Sequence, residues 1–359
     1  MEVGIVGLPL SGKTTLFNAL TRSDAQTGAY ASGRSAQHTA VVEVPDPRVA
    51  TLSDMFRPRK TTYAKVQFTD VSGAGAGEGR GLDQQTMNAL SRCDALALVV
   101  RAFQSDQVPH ADGSVDAARD LASLRLELIL SDLTIVERRI ERIDQGLKKS
   151  RAADRAPLER ERALMERFVA ALEAETPIAD LDLAEDEEQL LRGFQFLSAK
   201  PNLVIVNIGE DDPLPESLDW ADGHRRSLPL ALRGSLEMEI AQLPPEEMAE
   251  FLATYDIAEP GLHRLVREAY ALLGLMSFFT VGEDEVRAWT VRQSASAVEA
   301  AGAIHSDLAR GFIRAEVISY ADMIAAETMA RARSLGRLRL EGKEYVVQDG
   351  DILNIRFNV

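Results

Sequence analysis

Apolar residues come in short, nearly continuous runs through the first hundred positions: Val3–Val6, Val41–Val44, Tyr63–Thr69 and Ala95–Arg101. Runs of this length, rich in β-branched residues and bounded by turn residues, predict buried strands. The helical stretches between them predict a mostly parallel α/β sheet. After Val115 the period changes. Leu126, Ile129, Leu133, Val136, Ile140, Ile143 and Leu147 are spaced alternately three and four residues apart, an apolar seam of the coiled-coil kind with Glu137, Arg138, Arg139, Glu141 and Arg142 on the other faces. A polar break over 148–157 and a second seam at Leu158, Met165, Phe168 and Leu172 predict a helix that folds back on the first. Such an arm is either a partner surface or a hairpin that buries its own seam, and the pattern alone leaves both open.

Strand character returns at Asn202–Asn207, so this segment resumes the sheet left at Arg101 and the arm is an insertion. Leu228–Leu232 reads as one more strand, and the text from Leu236 to Leu275 is helical with a break at Glu259-Pro260-Gly261. From about Ser277 the pattern becomes that of a small α+β domain. Its predicted strands are Val286–Val291, Glu344–Val347 and Asp351–Val359, with a Val-Gln-Asp-Gly-Asp turn of hairpin type before the last. The resulting division is 1–115 and 200–276 for the split α/β domain, 116–199 for the helical insertion and 277–359 for the tail domain.

Bulk composition narrows the class. A chain of 359 residues exceeds one ordinary core, and 45% apolar with 27% charged residues is globular. No apolar run approaches a membrane span and no signal pattern opens the chain. The single Cys93 excludes an internal disulfide framework and suits a reducing cytoplasm. The five histidines show no metal-ligand spacing. A net charge of −16 argues against wholesale wrapping of nucleic acid, so any RNA contact needs a local basic patch. Arg310, Arg314, Arg331, Arg333, Arg337, Arg339 and Lys343 are candidates for one; a solvated polar face is the plainer alternative.

Candidate chemistry starts at Gly7-Leu8-Pro9-Leu10-Ser11-Gly12-Lys13-Thr14, which fits G-x-x-x-x-G-K-[ST] between a strand and a helix. In that setting successive backbone N–H groups wrap a β-phosphate, Lys13 reaches phosphate oxygens, the Thr14 hydroxyl ligates Mg²⁺ and the helix N-terminus adds partial positive charge. Asp70-Val71-Ser72-Gly73 ends the strand from Tyr63. Asp70 would hold Mg²⁺ through water and the Gly73 N–H would sense the γ-phosphate, with a glycine-rich run beyond suited to ordering on nucleotide. Asn207-Ile208-Gly209-Glu210 ends the NLVIVN strand where guanine readers carry Asn-Lys-x-Asp. Glu210 is one methylene longer than that Asp, and Ile208 lacks the Lys stem that packs on the base. The chemistry favours adenine or relaxed base choice.

Taken together, these pieces resemble the Obg-like ATPases of the YchF family over nearly the whole chain. The likeness rests on the P-loop and its helix, Val44–Arg48, Asp70–Gly73, Asn207 with Glu210, Glu259–Leu262, and tail runs including Glu285–Trp289, Gly311–Ala315 and Asp349–Val359. The resemblance implies a Ras-like P-loop NTPase domain, an inserted antiparallel coiled-coil arm and a C-terminal β-grasp (TGS) domain. It also implies ATP preferred over GTP, slow hydrolysis, Mg²⁺ on Thr14 and Asp70, and contact with ribosomes, RNA or stress machinery through arm and tail. Nucleotide contacts would come from Pro9, Leu10, Ser11, Gly12, Lys13, Thr14 and Thr15, with Asn207 and Glu210 at the base; Lys13 and Gly73 would serve catalysis. Gly234-Ser235 falls where the last, weak base-contacting loop would lie.

Three departures bear on turnover. Leu10 stands where the family has Asn, which in related potassium-stimulated proteins helps to bind a monovalent cation. Arg34 stands where a Thr would complete the Mg²⁺ shell, with Ser32, Ser35 and Thr39 as substitutes. Ala74 follows Gly73 where many switch GTPases place a water-orienting Gln. The readings are therefore a hydrolysing regulatory ATPase, a nucleotide-binding adaptor with negligible hydrolysis, or a GTP-preferring switch. A small-molecule kinase is disfavoured, because the motifs follow switch-NTPase order.

Overall fold

The computed structural model describes residues 1–21, 38–71, 82–106, 108–110, 113–151, 155–191, 193–255 and 257–358. Its strands are β1 (Glu2–Val6), β2 (His38–Glu43), β3 (Lys60–Thr62), β4 (Lys65–Asp70), β5 (Ala95–Arg101), β6 (Asn202–Asn207), β7 (Ser227–Leu232), β8 (Leu275–Thr280), β9 (Glu285–Arg292), β10 (Phe312–Ser319), β11 (Arg339–Glu341) and β12 (Asp351–Phe357). The longer helices are α1 (Lys13–Thr21), α2 (Pro47–Phe56), α3 (Gln84–Arg92), α4 (Ala117–Lys149) and α5 (Arg155–Glu173). By internal contact the chain falls into two compact units, 1–40 with 67–262 and 41–66 with 263–359.

The first unit is built on a sheet of order β2-β4-β1-β5-β6-β7. β4, β1, β5, β6 and β7 run parallel to their neighbours, so their C-terminal ends share one edge. β5 is buried at every position, and β1 and β6 nearly so, which is why their sequences read as continuous apolar runs. Leu90, Leu96, Leu121 and Leu124 anchor a core in which α3 and the first turns of α4 pack on the sheet.

Beyond its root, α4 pairs with α5. Ile129, Val136 and Ile143 meet Leu164, Met165, Phe168 and Leu172 in one buried cluster. The two predicted seams therefore cover each other, and a partner would meet the arm on its outer, polar faces. Leu126, counted in the seam, is 38% exposed, because α4 turns its inner face there from the other helix to the sheet. Arg139 grips Glu161 with two hydrogen bonds of 2.7 and 2.8 Å, and Arg162 reaches Asp144 at 2.7 Å, which adds register to the apolar seam.

The second unit carries a mixed sheet of order β11-β10-β12-β8-β9-β3. β8 and β9 form an antiparallel pair, β12 runs parallel to β8, and β10 is antiparallel to both β12 and β11. A helix at Ala297–Ile304 packs on its inner face around Ala297, Ala300 and Ala301. This is the connectivity of a β-grasp fold. Glu344–Val347, expected as a strand, is loop whose strand-type pairing among the described residues is one isolated Ser296–Val346 bridge. The turn before β12 is no hairpin either: β10 lies between β11 and β12.

Residues 41–66 join this second unit for an identifiable reason. Asp46 caps α2 by accepting from Arg48 N at 3.0 Å, with Pro47 at the first helical position. The Arg48 guanidinium then bridges Asp46 at 2.8 Å and Asp349 at 2.7 Å and lies over the Phe279 ring. β3 adds a parallel edge to β9, with Thr62 donating to Glu285 at 2.6 Å. No helix among the described residues is long and apolar enough to cross a membrane.

Candidate functional site

The parallel strands place the ends of β1, β4, β5, β6 and β7 side by side, and the loops that leave them converge. The first is the P-loop. Leu10 holds φ 63° and Gly12 φ 96°, the left-handed conformations that curl the loop so its N–H groups point inward. A Cβ at Gly12 would lie 2.1 Å from Asn207 Nδ2, so glycine is required there by space as well as by φ. α1 begins at Lys13, and the N–H groups of Lys13, Thr14 and Thr15 belong to its first turn, where a helix has no internal acceptors for them.

Lys13 Nζ donates to the Leu8 carbonyl at 2.7 Å. Burial pushes its ammonium down to about 8, and the nearby Asp70 carboxylate pulls the other way. A phosphate would add charge compensation in the same direction as Asp70. Ser11 is buried, and its hydroxyl has no hydrogen-bond partner among the described residues. Asp70, at the end of β4 opposite Ile5 of β1, is 4% exposed, and its Oδ2 lies 3.5 Å from Thr14 Oγ1. A hydroxyl and a carboxylate at that spacing are hard oxygen donors suited to Mg²⁺, which keeps water and phosphate in its remaining positions. The described residues hold no cluster of three or more His, Cys, Asp or Glu that would cage a metal alone.

Asn207 ends β6, in register with Arg101 of β5 and Leu232 of β7. Its buried side chain does two things. Nδ2 donates to the Ser11 carbonyl at 3.0 Å, and Oδ1 accepts from Gly234 N at 3.0 Å. One amide thus fastens the P-loop to the loop after β7. Ile208 is buried behind it, while Glu210 is exposed. The turn carrying Glu210 is held by Asp212, whose carboxylate accepts from Gly209 N at 2.7 Å and whose carbonyl accepts from Arg233 at 2.8 and 3.1 Å.

Phe103 also belongs here, and sequence reasoning passed over it. Its N–H donates to the Asn207 carbonyl at 3.1 Å, and its ring, under the Arg101 guanidinium, comes within 4.0 Å of where a Gly12 Cβ would stand. The available signal was an aromatic residue two positions beyond a strand that ends at the site.

Gly73, Ala74, Ser32, Arg34 and Ser35 lie outside the described residues. Thr39 does not: it sits on β2 with its hydroxyl 3.2 Å from that of Thr69, which engages it in strand pairing. Of the tail's basic candidates, Arg310, Arg331, Arg333, Arg337 and Arg339 each have a carboxylate within ion-pair distance: Asp307, Glu327, Glu316, Asp322, and Glu341 with Asp351, respectively. Their charge is largely compensated locally.

Comparison with known proteins agrees with this geometry. Residues 2–131 match a family model described as a 50S ribosome-binding GTPase, and residues 275–358 match the YchF-GTPase C-terminal model, described as a protein of unknown function. The chain is 40% identical over its full length to the full length of "Ribosome-binding ATPase YchF" of Bacillus subtilis. It is 39% identical to that of Pasteurella multocida, covering 100% of this chain and 99% of the relative. A solved structure of the Schizosaccharomyces pombe YchF GTPase superposes with a TM-score of 0.85 at 31% identity, covering 99% of this chain and 97% of that one. With a nucleotide grip, an inserted arm and a β-grasp tail that align from end to end with these relatives, the chain belongs to the YchF family.

Proposed function

We propose that this chain is a nucleotide-dependent regulatory switch that binds and slowly hydrolyses ATP, takes GTP less well, and acts on ribosomes in the cytoplasm. The observation that carries the reading is the convergence of Lys13, Thr14 and Asp70 at the edge where α1 begins, with Thr14 and Asp70 3.5 Å apart. Thr14 and Asp70 would hold Mg²⁺, which supplies positive charge to the phosphate oxygens. Lys13 and the first N–H groups of α1 neutralise the rest, and phosphoryl transfer is mainly such positioning and charge stabilisation.

Base choice rests on the turn after β6. A Lys stem would cover one face of a base, whereas Ile208 is turned into the core and leaves that face to other groups. Glu210 is exposed and free to accept from an exocyclic amine, a donor that adenine and guanine both offer. Relaxed discrimination follows, and the preference for adenine is supported by the relatives named as ATPases. The relatives named for ribosome binding support the partner. The adaptor reading keeps one specific support, Leu10 in the P-loop, whose side chain brings no oxygen to the phosphates.

Calorimetric affinities for ATP, GTP, ADP and GDP, with phosphate release measured with and without ribosomes, test the proposal. Expected are tighter ATP than GTP binding, loss of both in Lys13→Ala, and release that rises several-fold with ribosomes. ATP binding unaffected by Lys13→Ala would sink the site assignment. Release that stays negligible with ribosomes would leave the adaptor reading standing instead.

A further inference from the structure

Where the arm leaves the first unit, β5, the root of α4, the chain returning through 175–198 and the segment before β7 enclose a cavity of about 220 Å³. Its floor is leucine: Leu96, Leu98, Leu121, Leu128 and Leu197 all line it and are at most 5% exposed. Such a floor offers water no partners; an apolar cavity of about 150 Å³ stays dry and takes up benzene. By the same scale this one accommodates a chain of about eight carbons.

The rim is of another kind. Arg125 points along it, donating from one nitrogen to the Ala221 carbonyl at 2.9 Å and to Ser227 Oγ at 3.2 Å. No carboxylate among the described residues pairs with it; Asp180 and Asp222 act only from a distance, and burial pushes its guanidinium below the ordinary value. Asp180 is already engaged, accepting from His224 at 2.7 Å and from Arg225 N at 2.8 Å. Arg226 adds a second cation at the mouth, and the exposed Glu175 offsets one of the two. The rim thus sets two arginines beside Glu175, with Asp180 and Asp222 further off and no carboxylate in direct contact with Arg125 among the described residues.

We infer that this cavity binds a small amphipathic carboxylate, an aliphatic or aryl acid whose tail fills the leucine floor and whose head group meets Arg125. A carboxylate matches the planar guanidinium fork and supplies the charge partner that the protein does not. The tail gains apolar burial against the leucines of the floor. The lining shares no residue with the nucleotide grip.

The full-length chain without nucleotide is titrated with octanoate, with n-octanol as the uncharged control. Trp220 lines the mouth and is 42% exposed, so its emission in a Trp289→Phe background reports occupancy. Calorimetry on the unaltered chain gives the same affinity without relying on that substitution. Expected is saturable octanoate binding with Kd below about 1 mM, and octanol at least about tenfold weaker. Arg125→Gln should weaken octanoate about tenfold and leave octanol unchanged. Ala122→Phe, which narrows the mouth from an exposed helix position, should weaken both at least about tenfold while ATP binding shows the unit still folded. Absence of saturable octanoate binding would overturn the inference. So would equal affinity for octanol, or an Ala122→Phe variant that binds both probes as the parent does.

Discussion

Asn207→Ala tests whether the residue at the end of β6 reads a base or holds the phosphate loop. Removing the amide deletes the bonds to Ser11 O and from Gly234 N, each 3.0 Å, in a site where Asn207 is 7% exposed. A buried polar group left without its partner costs about 1–3 kcal/mol, and here there are two, so the local cost is about 2–6 kcal/mol, toward the lower end where water enters the space. At 1.4 kcal/mol per tenfold, phosphate affinity should fall by about one to two orders of magnitude, since part of the cost is recovered when ligand orders the loop. The assay is calorimetric titration with ATP, GTP and inorganic tripolyphosphate, which has no base. A tie to the P-loop weakens all three by the same factor. A base reader weakens only the nucleotides. Tripolyphosphate affinity unchanged in Asn207→Ala would refute the reasoning. Asn207→Asp sharpens the test: it keeps the acceptor for Gly234 N but sets a carboxylate against the Ser11 carbonyl, so it should bind phosphate worse than the Ala variant.

Other consequences are equally direct. Leu10 at φ 63° carries a left-handed penalty of about 1–2 kcal/mol that Asn largely avoids, so Leu10→Asn should raise the melting temperature by about 2 °C, and a lower one would count against the strain. The same variant should make hydrolysis respond to K⁺ if the oxygen missing at this position is what removes that response. Asp132, buried at the arm root and accepting from Leu197 N and Ser198 N at 2.8 and 2.7 Å, is pushed up by burial from 3.8 to about 6. The folded state therefore retains a proton that the unfolded chain gives up; the stability this contributes is complete below 3.8 and lost as pH rises through about 6. Relative to Asp132→Asn, the parent should lose about 2 kcal/mol in urea unfolding between pH 4 and 7, and a flat difference would contradict the shift. Arg48→Ala leaves Asp46 and Asp349 without their shared cation and should destabilise the second unit by about 1–2 kcal/mol, since Asp349 is half-exposed and screened, read by hydrogen exchange in β8 and β12.

Much of the fold was legible because the signals were local. β5 and β6 are buried along their length and announce themselves as apolar runs, and the arm seams repeat at helical spacing. What escaped was what depends on distant partners. β3 is three polar residues, Lys60-Thr61-Thr62, that become a strand only because Glu285 of β9 receives both Lys60 and Thr62. β11 is as short and lies at the opposite edge. Glu344–Val347 has strand-like residues, but Tyr345 turns its hydroxyl to Asp351 at 2.7 Å to pin a loop crossing over β10. Residues 41–66 stand in sequence between two nucleotide motifs, yet an ion pair spanning Arg48 and Asp349 decides which core they join.

At the site the same distinction separates grip from readout. The place of Gly12, Lys13 and Thr14 at a curled loop and a helix start was legible from spacing, because that geometry is local. The Asn207-x-x-Glu210 spacing pointed only to a base-reading strand end. It could not show that the Asn amide reaches across to Ser11, a residue nearly two hundred positions earlier, while its oxygen takes the first N–H of the helix after β7. That arrangement assigns the two halves of the motif different work. Asn207 is bound to the phosphate loop on one side and to Gly234 on the other, so its replacement disturbs the grip whatever base is present. Ile208 and Glu210 have no such attachment to the P-loop: one packs in the core, the other faces solvent. Substitutions at these two positions therefore leave the Asn207 bonds to the P-loop in place. The proposed change of base choice therefore needs alteration only at these two positions, and none in the loop that Asn207 holds.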